Sequence, residues 1–135
     1  MLIDANIFLE IELDQSRAEE CSVLIKRVFE GKIKAITTDF IIDTIIINME
    51  RNGCTGERIR RFLLSLLISK GLTIYCHNFV DRIIAIDHMK EFNLDFDDSL
   101  VVEAMHNNNV KKIVSFDPHF DKVEGIGRLK PSEII

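Results

Sequence analysis

Three aspartates in this 135-residue sequence follow or open elements that would bring them to one place. Asp4 comes directly after the apolar run 1–3, and Asp117 comes after the apolar run 112–116, while Asp98 opens a helical segment that leads into the second run. Carboxylates that converge repel one another, which raises their pKa values unless a cation lies between them. Hard divalent cations such as Mg²⁺ or Mn²⁺ take oxygen ligands of this kind. The pattern therefore predicts metal-assisted hydrolysis of a phosphodiester bond.

A fourth acid, Asp43, lies in a helical segment that starts after a second apolar run, 34–38. The apolar positions of this segment cover one face of a helix, and Asp43 borders that face. Because this helix begins where the second strand ends, Asp43 in its first turns should lie near the same edge of the sheet as the other three aspartates. Taken singly, each aspartate also fits a structural role as a helix cap, a partner of the helix dipole or a turn residue. Their joint placement favours a site.

The aspartates need a sheet that aligns the strand ends, and the hydrophobic periodicity predicts one. Segments typical of strands alternate with segments of helical period along the chain. This alternation implies right-handed crossovers and a three-layer α/β/α sandwich with a central, mostly parallel sheet of about five strands. Such sheets bind ligands at the carboxyl ends of their strands. The predicted strands are 1–4, 34–38, 72–76, 112–116 and an edge strand 125–129, and the predicted helices are 18–29, 39–49, 55–69, 79–92 and 98–106.

The N-terminal third carries two further local signals. The first strand is expected to feed a loop that carries Asp4 and Asn6. The first helix is expected to begin at a capping box, Ser16 to Glu19, and to close at Gly31.

Composition restricts the class of protein. With 47% hydrophobic and 29% charged residues, two prolines and six glycines, the chain is not disordered, collagen-like or a disulfide scaffold, so one domain over residues 1–135 is expected. No apolar stretch approaches the ~18 residues of a membrane span, and the N-terminus lacks the basic segment of a signal peptide. We therefore expect a cytoplasmic protein with no membrane partner.

The charge and the remaining metal-ligand side chains narrow the function. A net charge of −5 argues against a protein that holds nucleic acid mainly by phosphate neutralisation. Bound divalent cations would reverse the field at an acidic site, so an enzyme acting on nucleic acid stays open. The three cysteines contain no CxxC pair, and the four histidines lie at no mutual spacing that predicts a site.

Three motifs span nearly the whole chain. They are Ile3-Asp4-Ala5-Asn6-Ile7, Asp98-Ser99-Leu100-Val101-Val102-Glu103-Ala104 and Ile113-Val114-Ser115-Phe116-Asp117-Pro118-His119-Phe120-Asp121. In their order and spacing they resemble the motifs of the PIN domain nucleases, especially the small toxins of VapBC toxin–antitoxin pairs. The resemblance implies metal-bridging roles for Asp4, Asp98 and Asp117, with Asn6 and Ser115 supporting the site by hydrogen bonds.

The resemblance also implies an acid, usually Glu, after the second strand. Asp43 has the matching spacing from Thr37 but is one methylene shorter than Glu, and Asp39 is the alternative. Asp121 is either a further site acid or an exposed turn residue. Asp97 would replace Asp98 if the alignment shifted by one position, although the apolar residues that follow favour Asp98.

By this resemblance we expect a metal-dependent ribonuclease in which water attacks the phosphodiester and leaves a 5′-phosphate. The resemblance also implies a homodimer and a small antitoxin that occupies the cleft. Apolar residues of the 62–68 helix are candidate positions for the dimer interface, and ordinary core packing is the alternative for them. There are two alternatives: a nuclease that processes RNA, and a PIN-like module that only binds RNA or protein. Mn²⁺ binding would distinguish this module from an enzyme, because a degenerate site should not bind Mn²⁺ measurably. Two other enzyme classes are disfavoured. A haloacid dehalogenase phosphatase needs a second acid at the position that Asn6 occupies. A receiver domain needs an acidic pair after the first strand, and Asp4 stands without one.

Overall fold

Five short parallel strands form the centre of the computed structural model, which describes all 135 residues. The strands are β1 (Leu2–Ile3), β2 (Ala35–Thr38), β3 (Leu72–Tyr75), β4 (Lys112–Val114) and β5 (Gly127–Leu129). Their order across the sheet is β3-β2-β1-β4-β5, and every pairing between neighbours is parallel. The predicted fold class is confirmed, and the sheet is parallel throughout.

Helices cover both faces of this sheet. The chain moves from β1 through β2 to β3 in one direction and then returns to β4 on the other side of β1. Right-handed crossovers in opposite directions put their helices on opposite faces. In agreement, α1 packs against α2 and α3, while α5 packs against α6. The helices are α1 (Ala5–Glu12), α2 (Ala18–Phe29), α3 (Asp39–Arg51), α4 (Gly56–Leu67), α5 (Phe79–Phe92) and α6 (Phe96–Asn107), with 3₁₀ turns at Pro118–Lys122 and Pro131–Glu133.

The core is built around β1 and α6. Both residues of β1 are fully buried, as expected for the middle strand of a sheet that is covered on both faces. Residues 99–105 of α6 are all buried, which leaves only the ends of that helix accessible. The middle of α6 is therefore held by packing on nearly every side, and its first turn projects from this buried segment. No helix is both long and apolar enough to cross a bilayer.

The prediction of a loop after β1 is wrong, because α1 begins immediately after Asp4. Asp4 is the N-cap of this helix, and its carboxylate accepts a 2.8 Å hydrogen bond from the Ala5 N–H. Ile7 and Phe8 then turn into the core. A two-residue strand that ends at a good capping residue gives too little periodicity for the helix to be recognised in the sequence.

The predicted capping box at Ser16 is also wrong. Helix α2 begins at Ala18, its N-cap is Arg17, and no side chain caps it. The Arg17 N–H instead donates a 2.7 Å hydrogen bond to the Glu10 carboxylate of α1. Because α1 lies beside this helix start, a tertiary contact replaces the local cap. Helix α6 also differs from the prediction, because it begins at Phe96, before Asp98.

Candidate metal centre and active site

The site forms where the order of the sheet reverses. β1 connects towards β2 on one side and lies beside β4 on the other. The register pairs Ile3 with Val114, so the next residues, Asp4 and Ser115, emerge side by side at the carboxyl edge. The Asp4 N–H donates a 3.1 Å hydrogen bond to the Val114 carbonyl. A crevice at this place is where open parallel sheets bind their ligands.

Three donors fix the Asp4 carboxylate. Oδ1 accepts from the Ala5 N–H at 2.8 Å, and Oδ2 accepts from the Ser115 hydroxyl at 2.6 Å and from the Asn6 amide at 3.1 Å. Burial raises the pKa of Asp4, and the hydrogen bonds from Ser115 and Ala5 oppose this rise only in part. The charge of Asp117 raises the pKa further. Asp4 is therefore a buried and oriented carboxylate, which is the kind of group that can hold a metal ion.

Ser115 and Asn6 tie the two loops of the crevice together. Ser115 is fully buried, and its hydroxyl accepts hydrogen bonds from the Asn6 amide at 3.1 Å and from the Asp117 N–H at 3.0 Å. The side-chain oxygen of Asn6, Oδ1, accepts a 3.2 Å hydrogen bond from the Phe116 backbone N–H. The side chains expected to support the site therefore set the position of the backbone that carries Asp117.

Asp98 enters the same crevice from the first turn of α6. Its side chain is 15% exposed, and burial together with the charges of Asp97, Asp117 and Asp4 raises its pKa to about 7. Asp97 is exposed, and its carboxylate accepts a 3.0 Å hydrogen bond from the Asp98 N–H. Residues 99–105 of α6 are all buried, so packing fixes the position of the helix that carries Asp98.

His119 joins Asp98 to Asp117. Its ring Nδ1 lies 3.1 Å from Asp117 Oδ1 and 3.6 Å from Asp98 Oδ2, and its backbone N–H donates a 2.9 Å hydrogen bond to Asp117 Oδ1. One ligand atom from each of these three residues lies within 4.8 Å of the others. Two carboxylates and an imidazole suit a divalent cation such as Mn²⁺. His119 was not predicted as a ligand, although it lies two positions after Asp117 in the sequence.

Two clefts open beside the carboxylates. The smaller has a volume of about 60 Å³, enough for an ion with a little water. Its lining combines the acids with apolar residues from α3 and α6: Asp4, Ala5, Phe40, Ile41, Thr44, Asp97, Asp98 and Val101. The larger, of about 290 Å³, is polar and is lined by Asn93, Leu94, Asp95, Asp98, His119 and Lys122. Asp98 borders both, so a molecule in the larger cleft would reach the acidic centre.

Comparison with known proteins agrees with this geometry. The PIN domain model matches residues 1–126. The chain belongs to the PIN domain family. No curated protein matches this PIN domain.

Two solved structures have a similar fold. One is the toxin–antitoxin complex from Klebsiella pneumoniae, with a TM-score of 0.70, 11% identity and 96% of each chain covered. The other is VapC20 of Mycobacterium tuberculosis, described as a toxin that cleaves the sarcin–ricin loop. Its TM-score is 0.72 at 11% identity, over 89% of this chain and 92% of VapC20. At such identities the likeness shows the fold.

The structure of this PIN domain brings Asp4, Asp98 and Asp117 together but leaves the fourth predicted acid apart. Asp43 is exposed on α3 and does not line the small cleft, whereas the next residue, Thr44, does. The alternative, Asp39, accepts hydrogen bonds from the N–H groups of Phe40 at 2.8 Å and His77 at 3.1 Å, which holds it at the end of β3.

Asp121 lies outside the ligand group and is paired with Arg128. The guanidinium donates two 2.8 Å hydrogen bonds to the Asp121 carboxylate, which lowers the pKa of Asp121. Arg128 also donates to the Ser115 carbonyl at 3.3 Å. Asp121 therefore affects the site indirectly. It orients Arg128, and Arg128 in turn binds the backbone of the loop after β4.

Proposed function

We propose that this PIN domain is a metal-dependent ribonuclease in which Asp4, Asp98 and Asp117 hold Mg²⁺ or Mn²⁺. The observation that supports the proposal is the convergence of three carboxylates at the β1–β4 crevice, where the pKa values of Asp4 and Asp98 are raised. Such a group is stable in its ionised form only beside a cation. The oxygen-rich donor set matches the preference of both ions.

The residues around the carboxylates have distinct roles in this proposal. A bound Mg²⁺ or Mn²⁺ activates water and stabilises the charge that develops at the phosphate. Ser115 and Asn6 orient Asp4, so the ligand is preorganised rather than recruited on binding. The buried helix α6 does the same for Asp98. His119 is 62% exposed, which leaves it accessible both to the ion and to a substrate phosphate.

An RNA substrate fits the larger cleft. Lys122 lines this cleft beside Asp98 and His119, and it supplies a positive charge next to the acidic centre. The chain is acidic overall, so phosphate contacts are few and the cation provides much of the attraction. RNA is also what the structurally similar VapC20 is described as cleaving.

The proposed enzyme has two protein partners, an antitoxin and a second copy of the same chain. We propose that it is the toxin of a toxin–antitoxin pair, a single cytoplasmic domain that binds a small antitoxin, as the Klebsiella structure contains both components. A homodimer is supported by apolar side chains that stand out from the end of α4 and the start of α5. They are Leu67, Ile68, Phe79, Val80 and Ile83, each more than half exposed.

The deciding experiment is cleavage of a labelled single-stranded RNA panel by the purified protein with Mg²⁺, Mn²⁺ or EDTA. Asp4→Asn and Asp98→Asn should each lower the rate by at least about 100-fold, since each removes a ligand charge. Asp87→Asn is the matched control, because Asp87 is an exposed aspartate on α5 outside the site. Its rate should equal that of the wild type.

The products and the metal requirement distinguish the alternatives. Metal-dependent cleavage that leaves 5′-phosphates, and that fails in EDTA and in both site variants, supports the ribonuclease. A folded wild-type protein that neither cleaves RNA nor binds Mn²⁺ would instead be a PIN domain that only binds its partners. The observation that favours this second candidate is that α3 contributes no acid to the lining of the small cleft.

A further inference from the structure

A second group of metal-ligand side chains lies between α5 and α6, on residues that the proposed nuclease chemistry does not use. His88 belongs to α5, whereas Glu103 and His106 stand three positions apart on one face of α6. The two helices pack together, and one ligand atom from each residue lies within 4.8 Å of the others. The histidines are far apart in the sequence, so their spacing gave no sign of this group.

Two members of the group are buried polar side chains. His88 is 8% exposed and Glu103 is 4% exposed, and His88 Nε2 lies 2.8 Å from Glu103 Oε2. The other ring nitrogen, His88 Nδ1, is buried without a hydrogen-bond partner. Buried polar groups are costly unless they are satisfied, so this arrangement requires a reason beyond packing.

The donor set is that of a transition-metal site. Two imidazoles and a carboxylate suit Zn²⁺ and similar ions, whereas Mg²⁺ prefers oxygen ligands alone. Ligand atoms on a tetrahedral ion with bonds of this kind lie about 3.3 Å apart. His88 Nε2 and Glu103 Oε2 lie 2.8 Å apart in a hydrogen bond, and they would have to separate by only about 0.5 Å to bind one ion. The His106 side chain would have to move closer to the other two ligands, and it is exposed and therefore free to do so.

We propose that His88, Glu103 and His106 bind a Zn²⁺-like transition-metal ion between α5 and α6, separately from the acidic centre. Glu91 completes the surroundings, since its carboxylate lies 3.8 Å from His88 Nδ1 and is 64% exposed. With Nε2 on the ion, a small rotation of Glu91 gives Nδ1–H a carboxylate acceptor. Carboxylates that orient metal-bound histidines in this way are a regular feature of zinc sites.

Such an ion would strengthen the link between two helices that packing and a 3.0 Å hydrogen bond from the Asn107 amide to the Asp81 carboxylate already join. α6 carries Asp98 in its first turn and Glu103 and His106 further along. An ion bound to the folded protein and not to the unfolded chain raises the free energy of unfolding. The site is accordingly a structural clamp on the helix that positions Asp98, and it exists whether or not the protein cleaves RNA.

The test uses Co²⁺ as a spectroscopic substitute for Zn²⁺, in the full chain with Asp98→Asn to disable the acidic centre. Tetrahedral coordination with nitrogen ligands gives Co²⁺ an intense visible absorption, which octahedral oxygen coordination lacks. We expect one equivalent of Co²⁺ to produce this band. Adding His106→Gln should abolish the band and weaken Co²⁺ binding by at least about tenfold.

His119→Gln in the same background is the matched control, because it removes the exposed histidine of the acidic centre instead. The band should survive this change. Absence of the band before His106 is altered, or its loss with His119→Gln but not with His106→Gln, would overturn the proposal. His106 is exposed, so the result does not depend on substituting the buried His88 or Glu103. In a second readout, Zn²⁺ in excess Mg²⁺ should raise the Tm of the wild type and leave that of His106→Gln unchanged.

Discussion

Ser115 donates a 2.6 Å hydrogen bond to the Asp4 carboxylate, from a residue that lies 111 positions away in the sequence. The contact exists because β1 and β4 are parallel neighbours whose register ends both strands together. The same hydroxyl accepts the Asp117 N–H at 3.0 Å. One buried side chain therefore aligns two of the three carboxylates of the site.

Removal of this hydroxyl should weaken both the fold and the site. Ser115→Ala leaves the Asp117 N–H without its acceptor and takes a donor from Asp4, so we expect the free energy of unfolding to fall by about 1 to 3 kcal/mol. Mn²⁺ binding should weaken by about 10- to 100-fold, because an orienting partner of a ligand is lost. Urea unfolding and calorimetric titration with Mn²⁺ measure the two effects.

Ser115→Thr serves as the control because it keeps the hydroxyl. It should retain Mn²⁺ binding close to that of the wild type, even if the added methyl group lowers stability. Equal losses of Mn²⁺ affinity in the Ala and Thr variants would show that packing, rather than the hydrogen bond, positions Asp4.

The raised pKa of Asp98 makes the stability of the metal-free protein depend on pH. In the folded protein this pKa is about 7, whereas the ordinary value is 3.8. The contribution to stability is fully present below the ordinary pKa and is lost as the pH rises through about 7. Stability falls by about 1.4 kcal/mol per pH unit as the pH rises towards 7, so the loss between pH 5.5 and pH 8 is about 2 kcal/mol. Asp98→Asn should not show it, since an amide does not ionise.

Urea unfolding in EDTA at pH 5.5 and pH 8, for the wild type and Asp98→Asn, measures the effect as a difference between the two proteins. We expect the variant to be the more stable one at pH 8. Mn²⁺ at pH 8 should stabilise the wild type much more than the variant. Parallel pH dependence in the two proteins would mean that Asp98 ionises normally and that the carboxylates do not converge.

The sequence predicted the fold and the meeting of Asp4 with Asp117 because both depend on where strands end. Asp4 and Asp117 directly follow strongly apolar runs, and parallel strands bring such positions to one edge whatever the loop lengths. Asp98 was identified through its motif, and the structure puts it beside both. The family is confirmed by the match over residues 1–126.

Features that depend on packing between helices were not predictable in the same way. His119 became a neighbour of Asp98 only because the 3₁₀ turn after Asp117 meets the start of α6. Asp43 and Thr44 differ by one position, which is about 100° around a helix, and periodicity does not fix a helix to that accuracy. The contact between His88 and Glu103 likewise arises from the pairing of α5 with α6.

Asp121 should prove dispensable for metal binding. Its carboxylate is engaged by Arg128, so Asp121→Asn should leave Mn²⁺ affinity and RNA cleavage within about threefold of the wild type, as for a partly exposed ion pair. Arg128→Ala should have the larger effect, because Arg128 also holds the Ser115 carbonyl. The comparison is made by calorimetric titration with Mn²⁺. A loss of binding in Asp121→Asn that Arg128→Ala does not reproduce would instead make Asp121 a direct ligand.

Thr44, rather than Asp43, should be the position at which an added acid strengthens the metal site. Asp43 is exposed outside the small cleft, so Asp43→Asn should leave the Mn²⁺ affinity within about twofold. Thr44 lines that cleft with Asp4 and Asp98, so Thr44→Glu adds a carboxylate where the cation would bind. We expect Mn²⁺ to bind about tenfold more tightly, while the metal-free protein becomes less stable because of charge repulsion.

Thr44→Gln separates charge from size in this experiment, since it has the shape of the glutamate without its charge. Calorimetric titration with Mn²⁺ should give tighter binding only for Thr44→Glu, and urea unfolding in EDTA should show the largest loss of stability for the same variant. If Asp43→Asn weakened Mn²⁺ binding as much as Asp4→Asn does, Asp43 would be the fourth ligand after all. Helix α3 would then have to rotate when the ion binds, since Asp43 and Thr44 face different sides of it.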